Sequence, residues 1–105
     1  MKYLILAATA TALAALPALP FSSAHAQDVQ GRNLAASCAI CHGTDGRAVT
    51  KDVIPLAGLP KDHIATQMKA FRDGSRPATV MHQIAKGYND QQIDSLAAWF
   101  AAQKR

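Results

Sequence analysis

Cys38-Ala39-Ile40-Cys41-His42 sets two thiols three positions apart with an imidazole directly after the second, and it uses both cysteines of the chain. Thiols at this C-x-x-C-H spacing can add to the two vinyl groups on one edge of a porphyrin, and the next residue then lies beneath the iron. Cys38 and Cys41 are therefore the expected covalent anchors of one c-type haem. His42 is the expected proximal iron ligand, offering a neutral ring nitrogen. Other chemistries use the same residue types: a Cys38–Cys41 disulfide, a redox-active pair, or half of a zinc site. A structural zinc needs four ligands, and no second C-x-x-C or paired histidines follow. A thioredoxin-like pair belongs beside a β-α-β pattern, and no convincing strand pattern is present.

The second axial position decides what such an iron does. Closed by a thioether it shuttles electrons, whereas left open it binds oxygen, peroxide or small gases. Met68, Met81, His63 and His82 are the candidates. Met68 lies on an apolar helical stripe, where methionine ordinarily fills a core. Met81 ends a proline-containing loop well separated from His42, a position from which a side chain can cover the other haem face. Met81 is the expected distal ligand. His82 is then expected to be solvated or hydrogen-bonded at the surface, and His63, among charged residues at a helix start, to be exposed.

The first 26 residues read differently. A short basic start at Lys2, an apolar run from Leu4 to Leu19 and the Ala24-His25-Ala26 signal match a secretory leader cleaved after Ala26. Thr9, Thr11, Pro17 and Pro20 make the same stretch a poor membrane span. The expected division is a signal peptide over 1–26 and a single-haem domain over 27–105, exported to the periplasm with no membrane span in the mature chain. Export fits the chemistry, because bacteria attach c-type haem outside the cytoplasm, where paired thiols would otherwise oxidise.

The elements that must position these groups are helical, so the expected fold class is all-α. Val29 to Ala36 reads as a short helix entering the motif, and Gly43 to Gly46 must turn. From Arg47 to Pro60 the periodicity fails, and Pro55, Gly58 and Pro60 punctuate a loop. Ile64, Met68 and Phe71 mark a helix over Lys61 to Arg72, with Gly74 as its stop. Met81 to Lys86 makes a short helical turn. Asn89 with Gln92 caps a last helix carrying Ile93, Leu96, Ala97 and Phe100. A domain this small buries little apolar surface, so a bonded porphyrin would complete its core. Eleven Lys and Arg against seven Asp, with no Glu, give a net charge of +4. That balance suits an acidic protein partner, while nucleic-acid binding would need a denser basic patch.

With these residues in place, the chain resembles a class I cytochrome c over essentially its whole length after the leader. The resemblance implies short helices packed around one covalent haem. It also implies a crossing of the first and last helices at Gly31 and Trp99, and a proline carbonyl, that of Pro55, accepting the ring N–H of His42. Gln67 to Arg72 and Arg76 to Tyr88 are similar to the small cytochrome subunit of flavocytochrome c sulfide dehydrogenase. That narrower likeness implies a flavoprotein partner that oxidises sulfide and passes electrons to the haem, while catalytic residues are absent from this chain. A diffusible carrier, or the cytochrome partner of a sulfite- or thiosulfate-oxidising enzyme, is the alternative; a haem sensor or peroxidase would require Met81 to be off the iron. Arg72 and Arg76 are candidate partners for the haem propionates. Ala39, Ile40, Ala78 and Val80 are expected to frame an apolar haem edge, with Lys51, Arg76 and Lys86 at its rim.

Overall fold

The computed structural model describes residues 23–105, which form five α-helices: α1 Ser23–Ala35, α2 Ala39–His42, α3 Lys61–Asp73, α4 Met81–Ala85 and α5 Asp90–Ala101. Single 3-10 turns at Ala36–Cys38 and Thr44–Gly46 flank α2. Among the described residues there is no strand, so the fold is all-α as the periodicity requires. Most of the expected leader lies outside the described residues. Helix α1 starts at Ser23, earlier than the Val29 expected from sequence, because no proline or glycine interrupts the backbone before Gly31.

Helix α5 is the organising element. The Asn89 side chain accepts from the Gln92 amide at 2.8 Å, and the Gln92 side chain accepts from the Asn89 amide at 3.0 Å. This reciprocal cap satisfies two of the donors that a helix start leaves free. Downstream, Ile93, Leu96, Ala97 and Phe100 turn one stripe inward and are 0–2% exposed. Helix α1 crosses α5 at Gly31, where an added Cβ would fall 2.6 Å from the Ser95 carbonyl oxygen and 3.1 Å from the Trp99 Cβ. Only a residue without a side chain lets the backbones approach this closely. The expected crossing is therefore present, with the Ser95 carbonyl as its tightest contact and Trp99 half-buried beside it.

Helix α3 buries Ile64, Ala65 and Met68 against α5 and α4, and ends at Gly74 as expected. Helix α4 contributes Ala85, which is fully buried. The loop over 47–60 has no periodicity but is firmly tied. The Gly46 carbonyl accepts from the amides of Leu56 and Ala57 at 2.8 and 3.1 Å, and the Gly58 amide donates to the Phe100 carbonyl at 2.9 Å. Gly46 has φ 77° and packs so tightly that a Cβ would meet the Phe100 ring at 2.8 Å. The loop is thus anchored to the end of α5, and its inner side becomes a wall of the site.

Candidate haem site

Helix α1 continues through the 3-10 turn into α2, so the motif residues are carried on nearly continuous helical backbone. Cys38 is half-buried and Cys41 exposed, and both are free thiols. Burial pushes the Cys38 thiol above its ordinary range; hydrogen bonds from Ser37 and the Cys38 backbone oppose the shift, and nearby Cys41 adds to it. A thiol kept protonated in this way resists premature oxidation, since the thiolate is the reactive form.

His42 Nδ1 lies 2.7 Å from the Ile54 carbonyl oxygen. A carbonyl only accepts, so Nδ1 carries the proton and Nε2 keeps its lone pair. This corrects the sequence expectation by one residue: the acceptor is Ile54, not Pro55. The residue before a proline is held in extended backbone, which turns its carbonyl out of the loop. Ile54 accordingly faces the site, while exposed Pro55 does not line it.

Beside His42 opens a cavity of about 450 Å³, within the range of small-molecule and cofactor sites. One wall is Ser37, Cys38, Cys41 and His42; a second is Asp52, Val53, Ile54, Leu56 and Leu59 from the loop. The floor is Ile64, Met68, Leu96 and Phe100, and a further wall is Thr79, Val80, Met81 and Ile84. His63, Gln67, Phe71 and Arg76 complete the lining. Both methionines reach the cavity, but differently. Met68 is 6% exposed and belongs to the core, whereas Met81 is half-buried at the first residue of α4.

The residues suit a porphyrin. The lining is chiefly apolar, two free thiols stand on one wall, and an imidazole with an unprotonated nitrogen stands next to them. Three His, Cys, Asp or Glu side chains do not converge anywhere among the described residues, so the donor set is wrong for tetrahedral zinc. When bound, the haem supplies an iron that cycles between its ferric and ferrous states.

The histidines and arginines depart in part from sequence reasoning. His63 is exposed as expected, although it also borders the cavity. His82 is partly exposed, as a surface histidine would be, but its Nδ1 is buried with no hydrogen-bond partner among the described residues. It follows Met81 by one position, so helix geometry turns it away from the cavity, which it does not line. Arg72 is occupied elsewhere, donating to the Tyr88 carbonyl at 3.0 Å and pairing with Asp90, and does not line the cavity. Arg76 does. A contact that sequence did not signal joins the Ser37 and Tyr88 hydroxyls at 3.1 Å, tying the motif wall to the segment between α4 and α5. Of the four residues expected to frame the haem edge only Val80, 53% exposed, lines the cavity; Ile40 is 86% exposed, and Ala39 and Ala78 are half-buried.

This fold and donor set define a c-type cytochrome. The sequence model of the cytochrome c family matches residues 29–104, and the chain belongs to that family. Its relatives narrow the picture. It is 43% identical over 72 residues to the cytochrome subunit of sulfide dehydrogenase of Chlorobaculum tepidum, covering 68% of this chain and 64% of that protein. It is 39% identical over 71 residues to the thiosulfate dehydrogenase electron acceptor of Thiomonas intermedia, covering 67% of this chain and 33% of that one. Cytochrome c-554(548) of Halomonas halodenitrificans is 32% identical over 77 residues, covering 70% of this chain and 93% of its own length. The chain therefore spans less than two thirds of the first two relatives and nearly all of the third. It is an electron-transfer protein with covalently bound haem c and the all-α class I fold, and Cys38, Cys41 and His42 fit the attachment motif. No helix among the described residues is long and apolar enough to cross a membrane.

Proposed function

We propose that residues 27–105, after loss of the leader, form a periplasmic monohaem cytochrome that accepts electrons from a sulfide-oxidising flavoprotein. Cys38 and Cys41 carry the thioether bonds, His42 is the proximal ligand and Met81 the distal one. The observation that carries this reading is the single cavity reached by two free thiols, an imidazole oriented by the Ile54 carbonyl, and a thioether from α4. With both axial positions filled, the iron has no substrate site, so electrons enter through the haem edge. The likeness to a sulfide dehydrogenase cytochrome subunit supports sulfide as the ultimate donor, and the mildly basic chain suits an acidic partner face.

A second reading is a diffusible carrier, favoured by the near-complete coverage of a single-domain-sized relative, cytochrome c-554(548). Purification from the native host separates the two. A permanent subunit buries a larger surface and survives gel filtration in moderate salt, whereas a transient encounter dissociates. Co-elution with a flavin chromophore, and reduction by sulfide only in the presence of that flavoprotein, is the expected result. A cytochrome that elutes alone and is reduced equally well by a quinol-oxidising membrane complex would establish the carrier.

A further inference from the structure

Among the described residues, Arg76 is the only lysine or arginine that lines the cavity. Three contacts hold it there. Its amide donates to the Ala70 carbonyl at 3.1 Å, its Nη1 donates to the Gln67 side-chain oxygen, and its guanidinium lies 4.6 Å from the centre of the Phe71 ring. Gln67 and Phe71 line the same cavity, so the cation is fixed by two neighbours that also face the ligand space.

A guanidinium carries five N–H donors, and the bond to Gln67 uses one of them. Its flat face is taken by Phe71, which leaves an edge free to accept a carboxylate. Because the Gln67 oxygen is engaged by Arg76, the Gln67 amide nitrogen adds further donors beside that edge. The cluster is therefore a carboxylate receptor set in advance into an apolar wall. A porphyrin of the haem type has its two carboxylates on the edge opposite its two vinyls. Thioether bonds at Cys38 and Cys41 would commit the vinyl edge to the wall formed by the 3-10 turn and α2, and so direct the carboxylates toward the part of the cavity built by other segments.

We infer that Arg76, oriented by Gln67 and Phe71, is the charge partner of one haem propionate, and that Arg72 has no such role. The inference rests on the haem reading above. A forked pair of this kind is stronger and shorter than a neutral hydrogen bond. Its positive charge also favours the reduced iron, since outer contacts of a haem tune its potential. Arg72, by contrast, spends its donors on Tyr88 and Asp90 outside the cavity.

The test uses the holoprotein labelled with carbon-13 at the propionates and reads redox-difference infrared spectra together with the midpoint potential. Arg76→Gln should shift the propionate carboxylate bands and move the potential downward, and Arg76→Lys should shift the bands while holding the potential nearer that of the parent. Arg72→Gln should leave both readouts in place and lower thermal stability. Unchanged bands in Arg76→Gln, or an equal displacement in Arg72→Gln, would overturn the assignment. If Arg76→Gln does not fold, Arg76→Lys decides alone, and bands at the parent position refute the pair. Covalent haem absorption in the parent protein checks the underlying haem reading separately, so its failure is distinguishable from failure of the inference.

Discussion

Replacing Gly31 with alanine asks whether the crossing of α1 and α5 is as tight as its backbone contact implies. An added Cβ would stand 2.6 Å from the Ser95 carbonyl oxygen and 3.1 Å from the Trp99 Cβ. Neither neighbour can swing aside, because one is main chain and the other is the first atom of a side chain. The helices must separate instead. Opening packed contacts by about 0.5–1 Å forfeits a quarter to a half of their dispersion attraction, and overpacking of this sort costs about 1–3 kcal/mol. Alanine returns about 1 kcal/mol through its better helix propensity. With main chain as the obstacle the overpacking cost falls in the upper half of that range, about 2–3 kcal/mol, so the net expectation is a loss of about 1–2 kcal/mol, which for a domain under about 100 residues lowers Tm by about 4–16 °C. Guanidinium denaturation of the holoprotein, followed by far-ultraviolet circular dichroism and haem absorption, measures it. Ala98→Gly on the exposed side of α5 calibrates the propensity contribution in the same protein. A Gly31→Ala protein as stable as the parent, or more stable, would show that the crossing tolerates a methyl group and that the close-approach argument fails.

Met81→Ala should abolish the weak near-infrared sulfur-to-iron absorption and lower the midpoint potential, because a thioether ligand raises it. Met68→Ala should keep that absorption and cost about 2–5 kcal/mol in a denaturant titration, as expected for truncating a buried core methionine; the reverse pattern would exchange their roles. Asp90 supplies a pH test: the hydrogen bond from Arg72, and then its charge, hold the Asp90 carboxyl below its ordinary value of 3.8. A depressed folded-state value contributes stability that is present above the ordinary value and lost as pH falls through the lowered one. The advantage of the parent over Asp90→Asn should therefore persist from neutral pH down to the ordinary value and disappear on further acidification, and an advantage independent of pH would refute the pairing.

Helix α5 was legible in sequence because its signals are local: the Asn89 and Gln92 cap lies within one turn, and the apolar stripe repeats at helical spacing. Gly31 was legible only through the family resemblance, since nothing near it in sequence says that Ser95 will press against it. The segment over 47–60 was legible as a loop, but its anchoring was not. Its order comes from main-chain bonds such as Gly46 to Leu56 and Gly58 to Phe100, which carry no side-chain signature. The same reason explains the shift from Pro55 to Ile54, because a carbonyl acceptor is specified by backbone direction rather than residue type. The attachment motif was readable because paired thiols followed by an imidazole are scarce and chemically distinctive, and Met81, the expected distal ligand, is one of two methionines that line the cavity. The different fates of Arg72 and Arg76 were not, as both are arginines near one helix end, and only tertiary packing gives Asp90 to one and Phe71 to the other.

The site and the core are built from the same residues. Ile64, Met68, Leu96 and Phe100 are among the most buried side chains of the described domain, yet all four also line the cavity. Each is packed on one side by protein and faces the ligand space on the other, where it lacks partner atoms without a ligand. An unfilled void forfeits dispersion contacts and cavity energy that a domain with so few large core side chains can ill spare. A flat, largely apolar haem would supply those contacts, and bonds to Cys38 in the 3-10 turn and Cys41 in α2 would prevent its loss. The same arrangement would serve electron transfer, since residues of α3 and α5 on one side and the motif on the other would leave a bound haem little room to move. Exposure is left to Val80 on the cavity lining and to Ile40 between the two motif cysteines, the side on which the proposed electron partner would dock. Stability is thus concentrated in the buried lining shared by core and cavity, and the proposed recognition would fall on the exposed rim instead.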